Sequence, residues 1–434
     1  MLTRRNLFTF CALSGLAASA GSLSACSGVG GGDAGASGST TVRYAWWGTA
    51  ARQTAYTKAI DAFKQHYAAI GVEPEFAEYT AYQVRMTTQM AAKNVAEVFW
   101  IPSAQVLTYA KNGLYRNLDD VQTLKWEDYS KTEIEGFKLD GKLNTLPFGI
   151  FTPVFRYSQT YADAAGLTLP ADGAGWTWDS LAELAVTYAK NNKDKRWAFV
   201  YNPDADLPFE AWLRQHGEQL WTQDGKIGFT ADTTAAWFDW WLKLVKAGAV
   251  PTPAQQNGMA PLWATIGKSV LGIFGNSNHI IDDAKSFPDQ KFTLRHVPVM
   301  ASPAAGHQFL YFPRVAMYAN TDKVKVEAAG QLMNQQGNVT DFLKIVGLTM
   351  GAPTNPRVAK EAEAFATDNE KQMLKIVADD RGETRKPRYE APAGTNSWRA
   401  IMARTVEALA LGQKTPQDAA KGMISEIQTG IDRA

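Results

Sequence analysis

Between residues 42 and 101, short apolar runs alternate with segments of helical period, and this pattern narrows the possible folds more than any other. Val42-Arg43-Tyr44-Ala45-Trp46-Trp47 reads as a strand, and Tyr56, Ile60, Phe63 and Tyr67 then share one helical face. A second strand at 72–76, a helix at 82–93 and the strand Glu97-Val98-Phe99-Trp100-Ile101 complete a β-α-β-α-β series. Such alternation predicts an α/β layer with largely parallel strands. Strands are expected again at 142–146 and 154–158, on either side of the bend Pro147-Phe148-Gly149-Ile150-Phe151-Thr152-Pro153. The alternation then restarts with a helix begun by Thr177 and Asp179, a strand at 196–201, helices from Phe209 and Ala231, and strands at 269–274, 292–299 and 315–318. After Thr321 the pattern is mostly helical, closing with 396–411 and 415–431.

Ahead of this body lies a leader with Arg4 and Arg5, an uncharged run from Phe8 to Leu23, and Leu23-Ser24-Ala25-Cys26. It reads as a lipoprotein export signal over 1–25, cut before Cys26, with acyl chains of the palmitate class on the cysteine sulfur. The paired arginines also suit a twin-arginine signal, and the general export route stays open beside it. A retained membrane span is the competing reading, but a run so short and so poor in Leu, Ile and Val bridges about 30 Å of bilayer badly. Residues 26–40 are mostly Gly, Ser and Ala and form a flexible, lipid-anchored linker. The protein is therefore expected outside the cell, held to the outer face of the membrane.

Removing the leader takes two of the 44 basic residues and none of the 43 acidic ones, leaving 42 against 43. A body this close to neutral presents no overall basic excess, which argues against nucleic acid as a partner. Cys11 leaves with the leader, so an exported body without a disulfide relies on its core, and its length allows two domains. A monomer is expected.

Catalytic signatures are searched for and mostly missing. Gly275-Asn276-Ser277-Asn278-His279 departs from a nucleophile elbow because His279 replaces the second glycine, and a strand-to-helix turn capped by Asn276 or Ser277 is the simpler reading. Asn202, Asp204 and Asp206 alternate as in a calcium loop, but Leu207 and Leu213 stand at the positions needing Gly and Glu, so a solvated loop is expected. The five histidines form no zinc pattern, and no phosphate-binding glycine loop is present. Neither enzyme activity, metal nor cofactor is expected.

What remains is aromatic. The chain has 14 tryptophans. Trp237, Trp240 and Trp241 mark one helix face and read as core, whereas Trp46, Trp47, Trp100, Phe209, Trp212 and Trp398 lie at the ends of predicted elements, where α/β sheets bind ligands. Strand alternation sends Trp46 and Trp47 to opposite faces, so one of the two packs and the other faces ligand. Flat rings suit the C–H faces of sugars.

At this point the chain resembles the extracellular solute-binding proteins of ABC importers, in the carbohydrate-binding branch that includes maltose-binding protein. The resemblance rests on Phe99-Trp100 with Tyr109-Ala110, Gly113-Leu114 and Leu118, on Thr145-Leu146-Pro147-Phe148-Gly149 with Tyr157, and on Gly166-Leu167 before Trp176-Thr177-Trp178-Asp179-Ser180-Leu181. Ala328-Ala329-Gly330-Gln331-Leu332-Met333, Ala352-Pro353-Thr354, and Trp398 ahead of Ala408-Leu409-Ala410-Leu411-Gly412 and Thr415-Pro416-Gln417-Asp418-Ala419 continue it in order.

The resemblance implies a type II, two-lobe periplasmic-binding-protein-like α/β fold with a cleft between lobes joined by three crossover segments, near 147–153, 296–299 and 338–345. Lobe 1 would comprise 41–150 with 297–340, and lobe 2 would comprise 153–295 with 345–434. It implies capture of a sugar, in particular an oligosaccharide, and delivery to ABC permease subunits by hinge closure. Trp100, Trp398, Phe209 and Trp212 would stack on the ligand beside Trp46 or Trp47, with Tyr82, Ser103, Phe151, Asn276, Tyr311 and Arg314 as further lining residues. Ser103 and Ala104 stand where maltose-binding protein has a charged pair, Phe151 where it has a carboxylate, and Ser277 where it has a stacking tryptophan, which argues against maltose itself. The alternatives are the same fold binding a polyol, amino sugar or peptide, and a membrane-anchored glycoside-cleaving enzyme.

Overall fold

A computed structural model describes residues 39–139, 141–173, 175–259 and 265–434; the expected export leader, Cys26 and nearly all of the expected linker lie outside the described residues. The strands are β1 (Thr40–Trp47), β2 (Ile70–Ala77), β3 (Val98–Ile101), β4 (Leu146–Pro147), β5 (Pro153–Ser158), β6 (Trp197–Phe199), β7 (Val270–Asn276), β8 (Phe292–His296) and β9 (Arg314–Met317). They form two sheets among the described residues, β2-β1-β3-β9-β4 and β6-β7-β5-β8. Each sheet is the centre of one lobe.

The first three strands run parallel, as the alternation predicts, and β6 is parallel to β7. The remaining pairings are antiparallel: β9 with β3 and β4, and β5 with β7 and β8. Parallel neighbours need a long crossover connection, usually a helix. β5 and β9 instead enter their sheets straight from a passage between lobes, so the sheets are mixed and not largely parallel. The strand expected at 142–146 shrinks to Leu146–Pro147, because the Leu143 carbonyl accepts from Leu118 N–H outside the sheet.

Helices cover both faces of each sheet. In the first lobe, Ala50–His66 buries Tyr56, Ile60 and Phe63 against Tyr44 and Trp46, while Tyr82 and Met86 of the helix Tyr79–Ala91 pack on Phe99 from the other side. In the second lobe most of the tryptophans meet. Trp178 sits edge-on to Trp212, Trp237 and Trp240, with ring centroids 5.3–5.5 Å apart. The helix Ala231–Lys246 starts at Thr230, whose side chain accepts from Thr233 N–H, and turns Trp237, Trp240 and Trp241 inward as their spacing predicts. Thr177 likewise caps Trp178–Asn191 in a capping box with Ser180.

The chain passes between lobes three times. The first passage follows β4 at 148–152, within the bend at 147–153. The second lies later than 296–299: Val299 pairs with Thr177, Ala304 N–H donates to the Gln215 carbonyl and Lys386 N–H to that of Gly306, so 297–306 stays on the second lobe. The third follows Val346 and not 338–345, because the helix Thr340–Val346 buries Phe342 and Val346 in the first lobe, with Phe342 against Tyr56.

These passages run side by side. Ile150 and Ala352 exchange both backbone hydrogen bonds at 2.7 and 2.8 Å, as do Phe151 and Tyr311 at 3.0 and 2.8 Å. Gly351 has φ +97°, and a Cβ there would lie 2.2 Å from the Ile150 carbonyl oxygen. Gly351→Ala is expected to lower unfolding free energy by about 2–4 kcal/mol, read by chemical denaturation.

Candidate functional site

Between the lobes, in front of the three passages, lies a cavity of about 550 Å³. It sits at the carboxyl ends of β1, β3, β6 and β7, where open α/β sheets present loops to ligands. A smaller cavity of about 230 Å³ lies to one side of the second lobe, where His296 joins Asp172 at 2.8 Å and Asp380 at 3.3 Å. Those carboxylates occupy the imidazole, and the interlobe cleft is the better candidate site.

Aromatic rings supply one part of the cleft lining. Trp47 ends β1 and contacts Tyr79 edge-on at 5.4 Å; across the passages Phe151 and Tyr311 stack at 4.8 Å. Charged groups supply another. Arg156 in the middle of β5 forms an ion pair with Asp283, both only 3% exposed, and its Nη1 lies 3.4 Å from His279 Nδ1. A Cβ at Gly275 would sit 2.5 Å from that Nη1, so the missing side chain gives the guanidinium its room on β7. Arg399, one residue into its helix from Trp398, pairs with Asp206 of the second lobe and donates to Ser103 Oγ of the first at 3.1 Å. Thr108 Oγ1 and Asn396 Oδ1 add a second contact across the mouth, at 3.1 Å.

Burial, reinforced by the positive charges of Arg156 and Arg52, pushes the His279 imidazole down to about 3. It is neutral at neutral pH. Burial, and then the neighbouring Asp206 charge, raise the carboxyl of Asp204. Several buried polar atoms of cleft residues have no hydrogen-bond partner among the described residues: Arg52 Nε, Asn202 Oδ1, Asn278 Oδ1 and Arg399 Nε. Among the described residues no cluster of His, Cys, Asp and Glu suits a metal ion.

Of the residues singled out in the sequence, Trp47, Ser103, Phe151, Asn276 and Tyr311 come together in the cleft lining. The others lie elsewhere, for reasons of direction. Trp46 points to the opposite face of β1 and stacks on Tyr56 in the core. Trp100 is fully buried and donates its indole N–H to Tyr44 Oη at 2.9 Å, while its successor Ile101 faces the cleft. Tyr82 is buried with its hydroxyl donating to the Trp100 carbonyl at 2.6 Å. Phe209 and Trp212 follow the cleft-lining first turn of Asp206–Gln215, and the helical twist turns both into the tryptophan core. Arg314 donates to the Phe137 carbonyl at 3.2 Å and Thr145 Oγ1 at 3.0 Å within the first lobe. Trp398 packs edge-on to Trp221, leaving Arg399 to reach the cleft. Neither Asn276 nor Ser277 caps the helix His279–Ser286; Ser277 is buried and its hydroxyl accepts from Thr152 N–H in the first passage at 3.2 Å. The loop holding Asn202, Asp204 and Asp206 lines the cleft and is not a free solvated loop.

Sequence reasoning missed Arg52, Tyr79, Arg156, Asn278, His279 and Arg399 as lining residues. Only Arg399 carried a usable signal, its place beside a flagged aromatic at a helix start. Arg156 sits in an apolar run and reads as an edge position until β7 and β8 pair with β5 on either side.

Two α/β lobes joined by three passages, with a polar and aromatic cleft between them, are the architecture of a solute-binding protein. Residues 58–373 match the family described as bacterial extracellular solute-binding protein, and the chain belongs to that family. Its fold is similar to a periplasmic oligogalacturonide binding protein of Yersinia enterocolitica in complex with saturated digalacturonic acid, at 17% identity and TM-score 0.80 over 91% of this chain and 99% of that one. It is also similar to an ABC substrate-binding protein of Listeria monocytogenes in complex with cycloalternan, at 18% identity and TM-score 0.75, again over 91% and 99%. A third similar structure is the GacH receptor of Streptomyces glaucescens, solved unliganded and with acarbose, at 15% identity and TM-score 0.73 over 91% and 99%. These are binding proteins, and the two-lobe fold is the one expected. No helix among the described residues is long and apolar enough to cross a membrane.

Trp100→Ala and Trp398→Ala are each expected to lower unfolding free energy by about 3–5 kcal/mol, as for other buried tryptophans, measured by chemical denaturation. An unfolded histidine binds its proton below about 6.5, whereas folded His279 does so only near 3. The contribution of this group to stability is thus complete above about 6.5 and is lost as pH falls towards the folded value. Denaturation midpoints are expected to drop between pH values of about 7 and about 4, and to drop less in His279→Gln.

Proposed function

We propose that the protein is the receptor of an ABC importer that captures a saccharide, in particular an oligosaccharide, in the interlobe cleft and hands it to a membrane permease after hinge closure. The observation that carries this reading is the combination of aromatic faces at Trp47, Tyr79, Phe151 and Tyr311 with buried, unpartnered polar atoms at Arg52, Asn202, Asn278 and Arg399. A sugar offers both complements: C–H faces for rings, and hydroxyls that donate to amide oxygens and accept from guanidinium N–H. The cavity's volume suits a ligand larger than a single small metabolite. Solved proteins of similar fold bind digalacturonic acid, cycloalternan and acarbose, all saccharides or their analogues.

Opening and closing would be driven by differential affinity for the two lobe arrangements. Contacts such as Arg399 to Ser103 and Thr108 to Asn396 would form as the mouth shuts. In this reading the export leader, residues 1–25, is cut off before Cys26, the lipid on Cys26 holds the receptor at the outer face of the cell membrane, and the linker to residue 40 keeps it near its permease.

Thermal-shift measurements on the body from residue 27 onward, against a panel of neutral and acidic mono- and oligosaccharides, test the proposal. A ligand at a hundred times its dissociation constant adds about 2.7 kcal/mol of stability. At least one saccharide is expected to raise the melting temperature, and Trp47→Ala and Phe151→Ala to reduce that rise. Turnover of a glycoside, or a shift only with peptides or polyols, would rule the reading out.

A further inference from the structure

The charges of the cleft do not cancel evenly. Its three guanidiniums are Arg52, Arg156 and Arg399. Arg156 is held by Asp283 and Arg399 by Asp206. Arg52 makes no ion pair among the described residues: it donates to the carbonyls of Trp47 and Thr349 at 3.4 and 3.5 Å, and its Nε, although buried, has no acceptor. Contacts that long are weak.

Position sharpens the imbalance. Arg52 and Arg156 both act on His279, which is neutral and adds no charge of its own. The one carboxylate at this corner, Asp283, is buried and already bonded to Arg156 Nε at 2.5 Å. The other acidic groups of the cleft, Asp204 and Asp206, lie together at the start of Asp206–Gln215, where Asp206 pairs with Arg399. One corner of the cleft therefore carries two guanidiniums against a single spent carboxylate. A partly buried cation left without a counter-charge is costly, and an anion that meets it forms one of the stronger kinds of hydrogen bond. The Arg52 guanidinium also adjoins Trp47 through the bond to its carbonyl, so the unpaired cation and a sugar-stacking face belong to one stretch of the lining.

We propose that the solute is an acidic saccharide, a sugar bearing a carboxylate of the uronic-acid kind, and that Arg52, seconded by Arg156, receives that carboxylate. The proposal rests on the saccharide-receptor reading and narrows its substrate class. Asn278, whose amide N–H donates to the Thr349 carbonyl that Arg52 also uses, turns an unpartnered Oδ1 to the same corner for a sugar hydroxyl.

Isothermal titration separates the possibilities, with three probe sets: galacturonate, glucuronate and mannuronate oligomers, the methyl esters of the same sugars, and hexose phosphates. The methyl ester keeps the sugar and removes the charge. The free acid is expected to bind at least about tenfold more tightly than its ester, with the advantage shrinking in high salt. Arg52→Gln is expected to erase most of that ratio, weakening the free acid far more than the ester, with a melting temperature near that of the native protein. Equal affinity for acid and ester in the native protein, an unchanged ratio in Arg52→Gln, or tighter binding of a hexose phosphate would each overturn the assignment. Binding of neutral saccharides without preference for acids would overturn this inference alone and leave the saccharide receptor standing; no binding by any sugar would remove both.

Discussion

The reciprocal backbone hydrogen bonds joining Ile150 to Ala352 and Phe151 to Tyr311 are the constraint on which the rest of the structure depends. They hold the passages between lobes side by side as a narrow ribbon, and they do so with backbone groups that need no particular side chain. The side chains on that ribbon are consequently free to serve the cleft, and Phe151 and Tyr311 stack there. Close approach at Gly351 is what lets the ribbon form, since any Cβ would strike the Ile150 carbonyl. Ser277 and Thr152 bind the ribbon to the second sheet by two further contacts, Ser277 N–H donating to the Thr152 carbonyl at 3.0 Å and Thr152 N–H to the Ser277 hydroxyl at 3.2 Å.

Each lobe packs around a different kind of core. The first is a conventional layered core around β1 and β3, with Trp46 and Trp100 buried between the sheet and its helices. The second is built on aromatic packing, in which Trp178, Trp212, Trp237, Trp240 and Trp241 meet mostly edge to face, the arrangement their ring quadrupoles favour. Two separately packed lobes on a thin backbone ribbon are the arrangement in which the proposed hinge closure would act, with a ligand bonding to both sides of the cleft. Charge follows the same division: paired ions such as Arg156 with Asp283 lock a lobe internally, whereas Arg52 and Arg399 sit where lobes and passages meet.

Much of the fold was legible because its signals are local. Strand and helix periods placed β1, β2, β3, β5 and β7 to within a few residues, and Thr177 announced the helix it caps. Strand direction was not legible, because whether β9 runs with or against β3 depends on how the chain returns from the other lobe. The ends of the crossings were misjudged for the same reason: Phe342 looks like any apolar helical residue until Tyr56 is seen beneath it. At the site, an aromatic residue near a strand end marked the right neighbourhood and often the wrong side chain. Trp46 and Trp47, Trp100 and Ile101, and Trp398 and Arg399 are adjacent pairs of which one member packs and the other lines the cleft. The choice within each pair depends on which face the neighbouring layer covers.

By itself, the sequence determined that the body is α/β, that its tryptophans on the helix Ala231–Lys246 are core, and that its motif order belongs to a solute-binding family, since each depends on periodicity or on the order of residues along the chain. Only the tertiary structure decided which groups share the cleft. Arg52, Arg156, Asn202, His279 and Arg399 are scattered across some 350 residues and are brought together by three returns of the backbone between lobes. Whether a guanidinium is spent on Asp283 or left without a counter-ion is a matter of ångströms across that gap, a quantity no local pattern encodes.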